Sequence, residues 1–174
     1  MLRTLAVLVF TGGCLTSLSA CGGAGVGGPA ASADPGARAA IGDVLDDWHA
    51  AAGASDETRY FSHFADDGVF LGTDATERWG VAAFRAYAHP HFAASRGWAF
   101  RSVRRDIVVE GELAWFDEDL ATENLGPARG SGVMRYDGQR WRIAQYNLAL
   151  TIPNERFGEV RAVLEAAAPS AEKR

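Results

Sequence analysis

The sequence has little cysteine and no excess of positive charge. Its two cysteines, Cys14 and Cys21, lie near the amino terminus, so the rest of the chain has no thiol for a disulfide and must fold by packing alone. Lys and Arg together number 17 against 22 Asp and Glu, which gives a formal net charge of −5. Such a chain has no broad basic face for a phosphate backbone, and we expect no nucleic acid partner.

Long hydrophobic runs and internal repeats are absent as well. The first twenty residues instead have the pattern of an export signal: Arg3 carries a positive charge and an apolar stretch spans 5–10, which is too short to cross a bilayer permanently. This segment ends in Leu-Ser-Ala-Cys at 18–21, which matches a bacterial lipobox. We therefore expect cleavage before Cys21 and lipidation of that residue. The alternative is an ordinary secretory signal.

The residues after the signal contain almost nothing that can be buried. Gly and Ala dominate 21–37, and such a segment stays flexible because burial cannot offset its conformational entropy. We expect a signal peptide at 1–20, a tether at 21–37, one folded domain at 38–168 and a disordered tail at 169–174. The lipid anchors this domain to a membrane of the cell envelope. Because Gly22 follows Cys21, the outer membrane or a periplasm-facing position is favoured if the source has two membranes.

Apolar residues make up 48 % of the chain, enough for one packed core. Their periodicity predicts helices first and strands later. The expected helices are 38–52, 55–64, 80–94 (bent or broken near Pro90) and 155–167. The expected strands are 69–71, 98–110, 112–123, 129–137 and 140–152. This order predicts an α+β fold in which helices pack on one face of a curved antiparallel sheet.

Alternation along 112–123 separates two sets of side chains, of which the more apolar set is expected to face a pocket between the sheet and the third helix. That set consists of Ala114, Phe116, Glu118 and Leu120. A carboxylate in an apolar cavity has a raised pKa and can act as a general acid or base, so Glu118 is a catalytic candidate and Phe116 a ligand-binding one. The alternative is a cross-strand ion pair between Glu118 and an arginine such as Arg129 or Arg142.

The last strand offers two amides. Gln145 and Asn147 alternate in phase with Trp141 and Ile143, and amides among apolar neighbours need hydrogen-bond partners. They are predicted to orient a ligand carbonyl or hydroxyl. The alternative is that they bind backbone or buried water at the sheet edge.

Aromatic and imidazole side chains near the helices complete the candidates. Tyr60 and His63 are expected to line the cavity, with His63 a second catalytic candidate, and Trp79, Tyr87 and His91 are expected near its mouth. The string His89-Pro90-His91 invites a metal interpretation, but no third ligand follows at fixed spacing, and we expect no metal. Without a phosphate-binding Gly loop or a nucleophile elbow, we also expect no cofactor.

Several strings resemble the nuclear transport factor 2-like superfamily, which includes ketosteroid isomerase and the SnoaL-like polyketide cyclases. They are Phe64–Asp74, Ala114–Glu118, Arg129–Val133 and Trp141–Leu148, and the likeness covers about 38–157. It points to the SnoaL-like subgroup and implies a cone-shaped α+β fold. One departure concerns the isomerases: their general base aligns with Gly72, so that chemistry does not transfer to this chain.

This resemblance leaves three hypotheses for function, because one fold hosts several. The first is a domain that binds a small apolar or amphipathic ligand in its pocket. The second is an enzyme of the cyclase, dehydratase or isomerase kind, with Glu118 or a helix histidine as base and Gln145 or Asn147 as oxyanion donors. The third is a protein-interaction domain or homodimer, since sheets of this superfamily pair through their outer face.

Overall fold

A computed structural model describes residues 34–167. The expected signal peptide, the lipidation site Cys21, the tether up to residue 33 and the tail at 169–174 lie outside the described residues. The last part of the expected tether, 34–37, is not flexible chain but the cap and first turn of a helix. The described helices are α1 (Pro35–Gly53), α2 (Glu57–Ser62), α3 (Val81–Ala93) and α4 (Phe157–Ala167), with a 3-10 turn at Asn154–Arg156 before α4. The strands are β1 (Phe64–Leu71), β2 (Arg78–Gly80), β3 (Phe100–Glu110), β4 (Leu113–Thr122), β5 (Ala128–Tyr136) and β6 (Trp141–Leu150).

Helix α1 begins where its sequence provides a cap. The side chain of Asp34 accepts hydrogen bonds from the backbone N–H groups of Gly36 and Ala37, and Pro35 opens the first turn, where its missing N–H costs nothing. The helix buries one stripe of side chains against the sheet. These are Ile41, Leu45, Trp48, His49, Ala51 and Ala52. Within residues 34–167, none of the helices combines the length and the apolar character that a membrane span requires.

The six strands form one curved sheet in the order β2-β1-β6-β5-β4-β3. The meander of β3 to β6 is antiparallel as predicted. Each of its three turns contains a glycine with positive φ, namely Gly111 at +61°, Gly126 at +71° and Gly138 at +90°, a conformation that costs other residues energy. Three details differ from expectation. Strand β1 is longer than 69–71 and pairs in parallel with β6, a short β2 extends the sheet, and α3 continues through Pro90 to Ala93 without a break.

Two bulges change which side chains face the helices. In β3 the extra residue is Val103, so that Arg105 faces inward and its neighbour Arg104 outward. In β6 the extra residue is Ala144, since Val133 pairs with Gln145 and Met134 with Ile143. A bulge reverses the alternation beyond it, and each of these two does so within a strand that the sequence predicts as regular.

Aromatic rings fill the space between the helices and the sheet. Rings of α2, α3 and β1 contact one another at centroid distances of 4.0 to 6.4 Å. These rings belong to Tyr60, Phe61, Phe70, Phe84 and Phe92. Since each buried ring removes a large apolar area from water, this cluster stabilises the packing of α2 and α3 on the sheet.

Candidate functional site

Glu118 of β4 lies at the centre of a buried charged cluster and is 0 % exposed, on the inward face that its alternation predicts. Its Oε1 atom lies 2.8 Å from Nε2 of His49 on α1 and accepts a hydrogen bond of 3.1 Å from the Tyr146 hydroxyl of β6. Its Oε2 atom accepts a hydrogen bond of 2.9 Å from Nε of Arg105 on β3. The partner is therefore Arg105 rather than the predicted Arg129 or Arg142, because the bulge at Val103 turns Arg105 inward.

The ionisation of Glu118 is set by these partners. Burial alone raises the pKa of its carboxyl, but the interactions with His49 and with the Arg105 guanidinium outweigh burial and lower the pKa to about 2. The expectation of a raised pKa, which rested on an apolar cavity around Glu118, is therefore wrong. Three hydrogen-bond donors, one of them the guanidinium of Arg105, stabilise the anion, so Glu118 is a carboxylate at neutral pH.

Arg105 connects this carboxylate to a second acid. Its Nη2 atom lies 2.8 Å from Glu118 Oε2 and 2.9 Å from Asp46 Oδ1, at angles outside hydrogen-bond geometry, so these two contacts are ion pairs. Its Nη1 atom donates to the Gly42 carbonyl at 3.2 Å. Arg105 thereby ties α1 to the sheet while it compensates the buried charge of Glu118.

Glycine at position 130 makes room for the Tyr146 hydroxyl. A Cβ at Gly130 of β5 would lie 2.7 Å from Cζ of Tyr146 and 3.0 Å from Oε1 of Glu118, closer than packed atoms can approach. Burial and the neighbouring Glu118 raise the pKa of Tyr146 well above its ordinary value, so the hydroxyl keeps its proton and donates a hydrogen bond to the carboxylate.

A cavity of about 430 Å³ lies beside this cluster, a size typical of small-molecule sites. Eight aromatic side chains line it. They are Trp48, Tyr60, Phe70, Trp79, Phe84, Tyr87, Trp98 and Phe100. Polar residues also line it, including Thr73, Glu77, Arg96, Thr122, Glu123 and Asn124. A wall of aromatic rings with several polar groups suits a small apolar or amphipathic molecule.

His49 belongs to both the cluster and the cavity wall. Its ring is 6 % exposed, and the bond to Glu118 is its one hydrogen bond among the described residues. Tyr60 also lines the cavity at 3 % exposure, and burial raises the pKa of its hydroxyl well above the ordinary value. The indole N–H of Trp48, another wall residue, is buried without a hydrogen-bond partner in the described part of the chain.

The structure brings some of the predicted site residues to this cavity and leaves others away from it. Tyr60, Trp79 and Tyr87 line it, and their ligand-binding role stays a prediction. Phe116 is buried in the core, and His91 lies beside the rings of Tyr87 and Trp98 without lining the cavity. Gln145 is exposed and Asn147 half-buried, and neither lines it. The expected shared face with Trp141 and Ile143 is wrong, because the bulge at Ala144 reverses the alternation.

His63 lies in a different cluster. Its Nε2 atom is 2.8 Å from Oδ2 of Asp47, which also accepts a hydrogen bond of 3.0 Å from Nε of Arg59. Burial is the main cause that lowers the pKa of His63. His89 contacts Glu57 through Nδ1 at 2.7 Å, and no group of three or more His, Cys, Asp or Glu side chains suited to a metal ion occurs among residues 34–167.

His49, Arg105 and Tyr146 are the partners of Glu118 that the sequence did not lead us to expect. A signal for His49 exists, because it stands four residues after Leu45 and eight after Ile41, on the buried stripe of α1. A polar residue on such a stripe needs a buried partner. No comparable signal exists for Arg105, whose orientation depends on a bulge.

Fold and site together define a nuclear transport factor 2-like domain with a cavity whose wall includes a histidine held by a buried carboxylate. The model of the SnoaL-like domain family matches residues 41–153, about two thirds of the chain, and the chain belongs to that family. A search among curated proteins finds no match.

Solved structures with this fold are numerous, and three illustrate the likeness. An NTF2-like protein of unknown function from Pseudomonas putida KT2440 is 15 % identical, with a TM-score of 0.58 over 70 % of this chain and 91 % of that one. A Novosphingobium aromaticivorans protein provisionally described as an aromatic ring hydroxylase is 20 % identical, with a TM-score of 0.60 over 68 % and 92 %. Rv3472 of Mycobacterium tuberculosis, of unknown function, is 19 % identical, with a TM-score of 0.57 over 68 % and 78 %. Identities this low establish the fold alone.

Proposed function

We propose that this protein is an enzyme that moves a proton on a small apolar or amphipathic molecule bound in its cavity, with His49 as the general base. The observation that carries the proposal is the place of His49, in the cavity wall with Nε2 held 2.8 Å from a buried carboxylate. A base oriented by a second group is the arrangement that general acid–base catalysis requires.

The ionised state of Glu118 decides which ring nitrogen can act. A carboxylate only accepts hydrogen bonds, so Nε2 of His49 is the donor and carries a proton. The other nitrogen, Nδ1, has no hydrogen-bond partner among the described residues, and it is the atom that takes a proton from the ligand. Glu118 is sealed from the cavity, so it acts through His49 as a positioning residue and stabilises the imidazolium that forms.

Tyr60 is suited to the complementary task. Its pKa is raised by burial, so the hydroxyl remains a proton donor at neutral pH, and it lies in the same cavity wall. A neutral donor of this kind can hydrogen-bond a ligand carbonyl and stabilise negative charge that develops on its oxygen. Tyr60 then supplies the oxyanion donor that was predicted from the amides Gln145 and Asn147, neither of which lines the cavity.

The lipobox pattern at 18–21 supports a proposal about location. Cleavage before Cys21 and lipidation of its sulfur would anchor the enzyme to a membrane of the cell envelope, with the cavity on the aqueous side. Mass spectrometry of the purified full chain tests this: a diacylglyceryl mass on Cys21 supports it, and an unmodified or uncleaved terminus contradicts it. A homodimer through the outer sheet face stays a prediction.

Deuterium exchange on a probe ketone tests the proposed chemistry. We choose 2-tetralone, an aromatic ketone with exchangeable hydrogens next to its carbonyl, and follow their replacement in D2O by proton NMR. The full chain is expected to accelerate exchange, and His49→Gln is expected to lower the rate by about 10² to 10⁴, the range typical of a general base. The substitution Glu112→Gln, in the exposed turn between β3 and β4, is the matched control.

A binding domain without chemistry is the second candidate, because the aromatic wall alone suits ligand capture. The same experiment separates the two. If the parent protein accelerates exchange and His49→Gln does not, the result supports an enzyme. Tight binding of 2-tetralone without acceleration, or with equal acceleration in His49→Gln, contradicts the enzyme and supports the binding domain.

A further inference from the structure

Glu77 enters the cavity wall through space that a glycine leaves open. Gly72, at the end of β1, and Glu77, just before β2, both line the cavity. A Cβ at Gly72 would lie 2.9 Å from Cδ of Glu77 and closer still to its Oε2 atom. The backbone N–H of Gly72 also donates to the Glu77 carbonyl at 2.9 Å, which fixes the two residues side by side. Any side chain at position 72 would therefore displace this carboxylate.

The carboxylate of Glu77 has few partners of its own. It accepts one long hydrogen bond, 3.2 Å from the backbone N–H of Asp74, and makes no ion pair with the described residues. Glu123 lines the same cavity and likewise makes no ion pair in the described part of the chain, while Arg96 is the guanidinium that lines it. Carboxylates thus outnumber guanidinium groups at this wall, and a half-buried carboxylate gains most from a cation.

The other residues of the cavity wall indicate what else the ligand must contain. Rings such as Trp79, Phe84 and Trp98 suit an aromatic or apolar body. Tyr60 is 3 % exposed and its hydroxyl has no hydrogen-bond partner among the described residues, so the cavity offers a donor that an oxygen of the ligand can satisfy. The ligand that fits has an apolar body, an acceptor for Tyr60 and a positive charge for Glu77.

We propose that Glu77 binds a protonated amine of the ligand, so that the cavity selects hydrophobic amines over hydrophobic acids. This inference rests on the proposed function, since it assigns the ligand class of the same cavity. Glu77 is here a binding residue, and the proton transfer remains with His49. Gly72 contributes by leaving the space in which the carboxylate lies.

Calorimetric titration of the full chain with three probes tests the selection. The probes share one naphthalene ring: 2-naphthylmethylamine is a cation at pH 7, 2-naphthalenemethanol is neutral and 2-naphthoate is an anion. We expect the amine to bind at least about tenfold more tightly than the naphthoate, a difference in the range of one desolvated ion pair. In Glu77→Gln this ratio is expected to fall to about threefold or less, with binding of the alcohol unchanged.

Gly72→Ala separates the position of the carboxylate from its charge. This variant keeps the net charge of the protein, but its Cβ displaces the flexible end of Glu77, so it should lose the preference for the amine as Glu77→Gln does. Glu112→Gln removes an equal charge in the turn of the β3–β4 hairpin, at the end away from the cavity-lining residues Phe100 and Thr122. This variant should keep the preference for the amine. Circular dichroism spectra of all three variants are expected to match the parent.

Each outcome bears on the proposal. Equal binding of amine and naphthoate by the parent protein overturns it, and so does a preference that survives in Glu77→Gln. A preference that is lost in Glu77→Gln but survives in Gly72→Ala supports the role of Glu77 and overturns that of Gly72. Loss of the preference in Glu112→Gln also overturns the proposal, because the effect would then reflect net charge alone. If the alcohol binds and His49-dependent exchange occurs without any preference for the amine, the ligand class is wrong while the proposed function stands.

Discussion

Strands β3 and β4 carry an arginine–carboxylate cluster on each face of the sheet. The two clusters contain the same kinds of charged group but differ in how far they are exposed to solvent. On the inner face Arg105 is 11 % and Glu118 0 % exposed. On the outer face Arg104 is 51 % and Asp119 40 % exposed, and Arg104 also pairs with Asp106 and Asp117. The outer groups remain hydrated whether paired or not, whereas each inner charge depends on its partner. Because its groups are buried and depend on their partners, the inner cluster can fix the orientation of the His49 ring, whereas the exposed outer cluster cannot fix a side chain in this way.

The largest effect is expected from removing the inner charge. Glu118→Gln keeps the shape of the side chain but leaves the buried Arg105 without its main partner, and breaking a buried pair in this way costs about 3–5 kcal/mol. Urea unfolding followed by circular dichroism measures the loss. A free energy of unfolding within about 1 kcal/mol of the parent would contradict the account, because that is the range of exposed pairs.

Acid is expected to produce the next largest effect. The pKa of Glu118 falls from 4.5 to about 2 on folding, so its contribution is fully present above about pH 4.5 and is lost as the pH falls toward 2. The contribution is on the order of 3 kcal/mol. Urea midpoints between pH 6 and pH 3 should fall more steeply in the parent than in Glu118→Gln. Parallel pH profiles would show that Glu118 does not titrate in this way.

The smallest effect is expected on the outer face. Asp119→Asn removes one exposed partner of Arg104, whose other carboxylate partners remain. We expect a slight destabilisation in urea at about 0.05 M salt that disappears at about 0.5 M, where exposed charges are screened. A loss as large as that of Glu118→Gln, or one insensitive to salt, would remove the distinction between the two faces.

The inner cluster was partly predictable from sequence. Regular alternation along β4 places Glu118 inward, and this prediction is confirmed by its burial. The pKa prediction failed because it treated the surroundings as apolar, while His49, Arg105 and Tyr146 supply donors from three other elements. Partners that are distant in sequence follow from the packing of α1 on the sheet.

Bulges account for what the sequence could not show. Regular alternation through Val103 would turn Arg104 inward in place of Arg105, and regular alternation through Ala144 would turn Gln145 inward in place of Tyr146. Neither bulge has a signal such as an interior glycine or proline in its strand. His49 could have been predicted as a buried polar residue, since it lies on the apolar stripe of α1. That Glu118 is its partner could not be predicted, because it follows from how α1 packs on the sheet.

Measuring which ring nitrogen of His49 carries a proton is the most direct test of the central claim, that an ionised Glu118 holds His49 as the cavity base. Long-range nitrogen–proton NMR on the full chain labelled with ¹⁵N-histidine distinguishes the two ring nitrogens, with His49→Gln identifying the signals. The account predicts that Nε2 carries a proton at neutral pH and that Nδ1 is the nitrogen whose shift changes when 2-tetralone is added. A ring with a bare Nε2 would mean that Glu118 holds the proton, and it would contradict the role of an ionised Glu118 behind a cavity base.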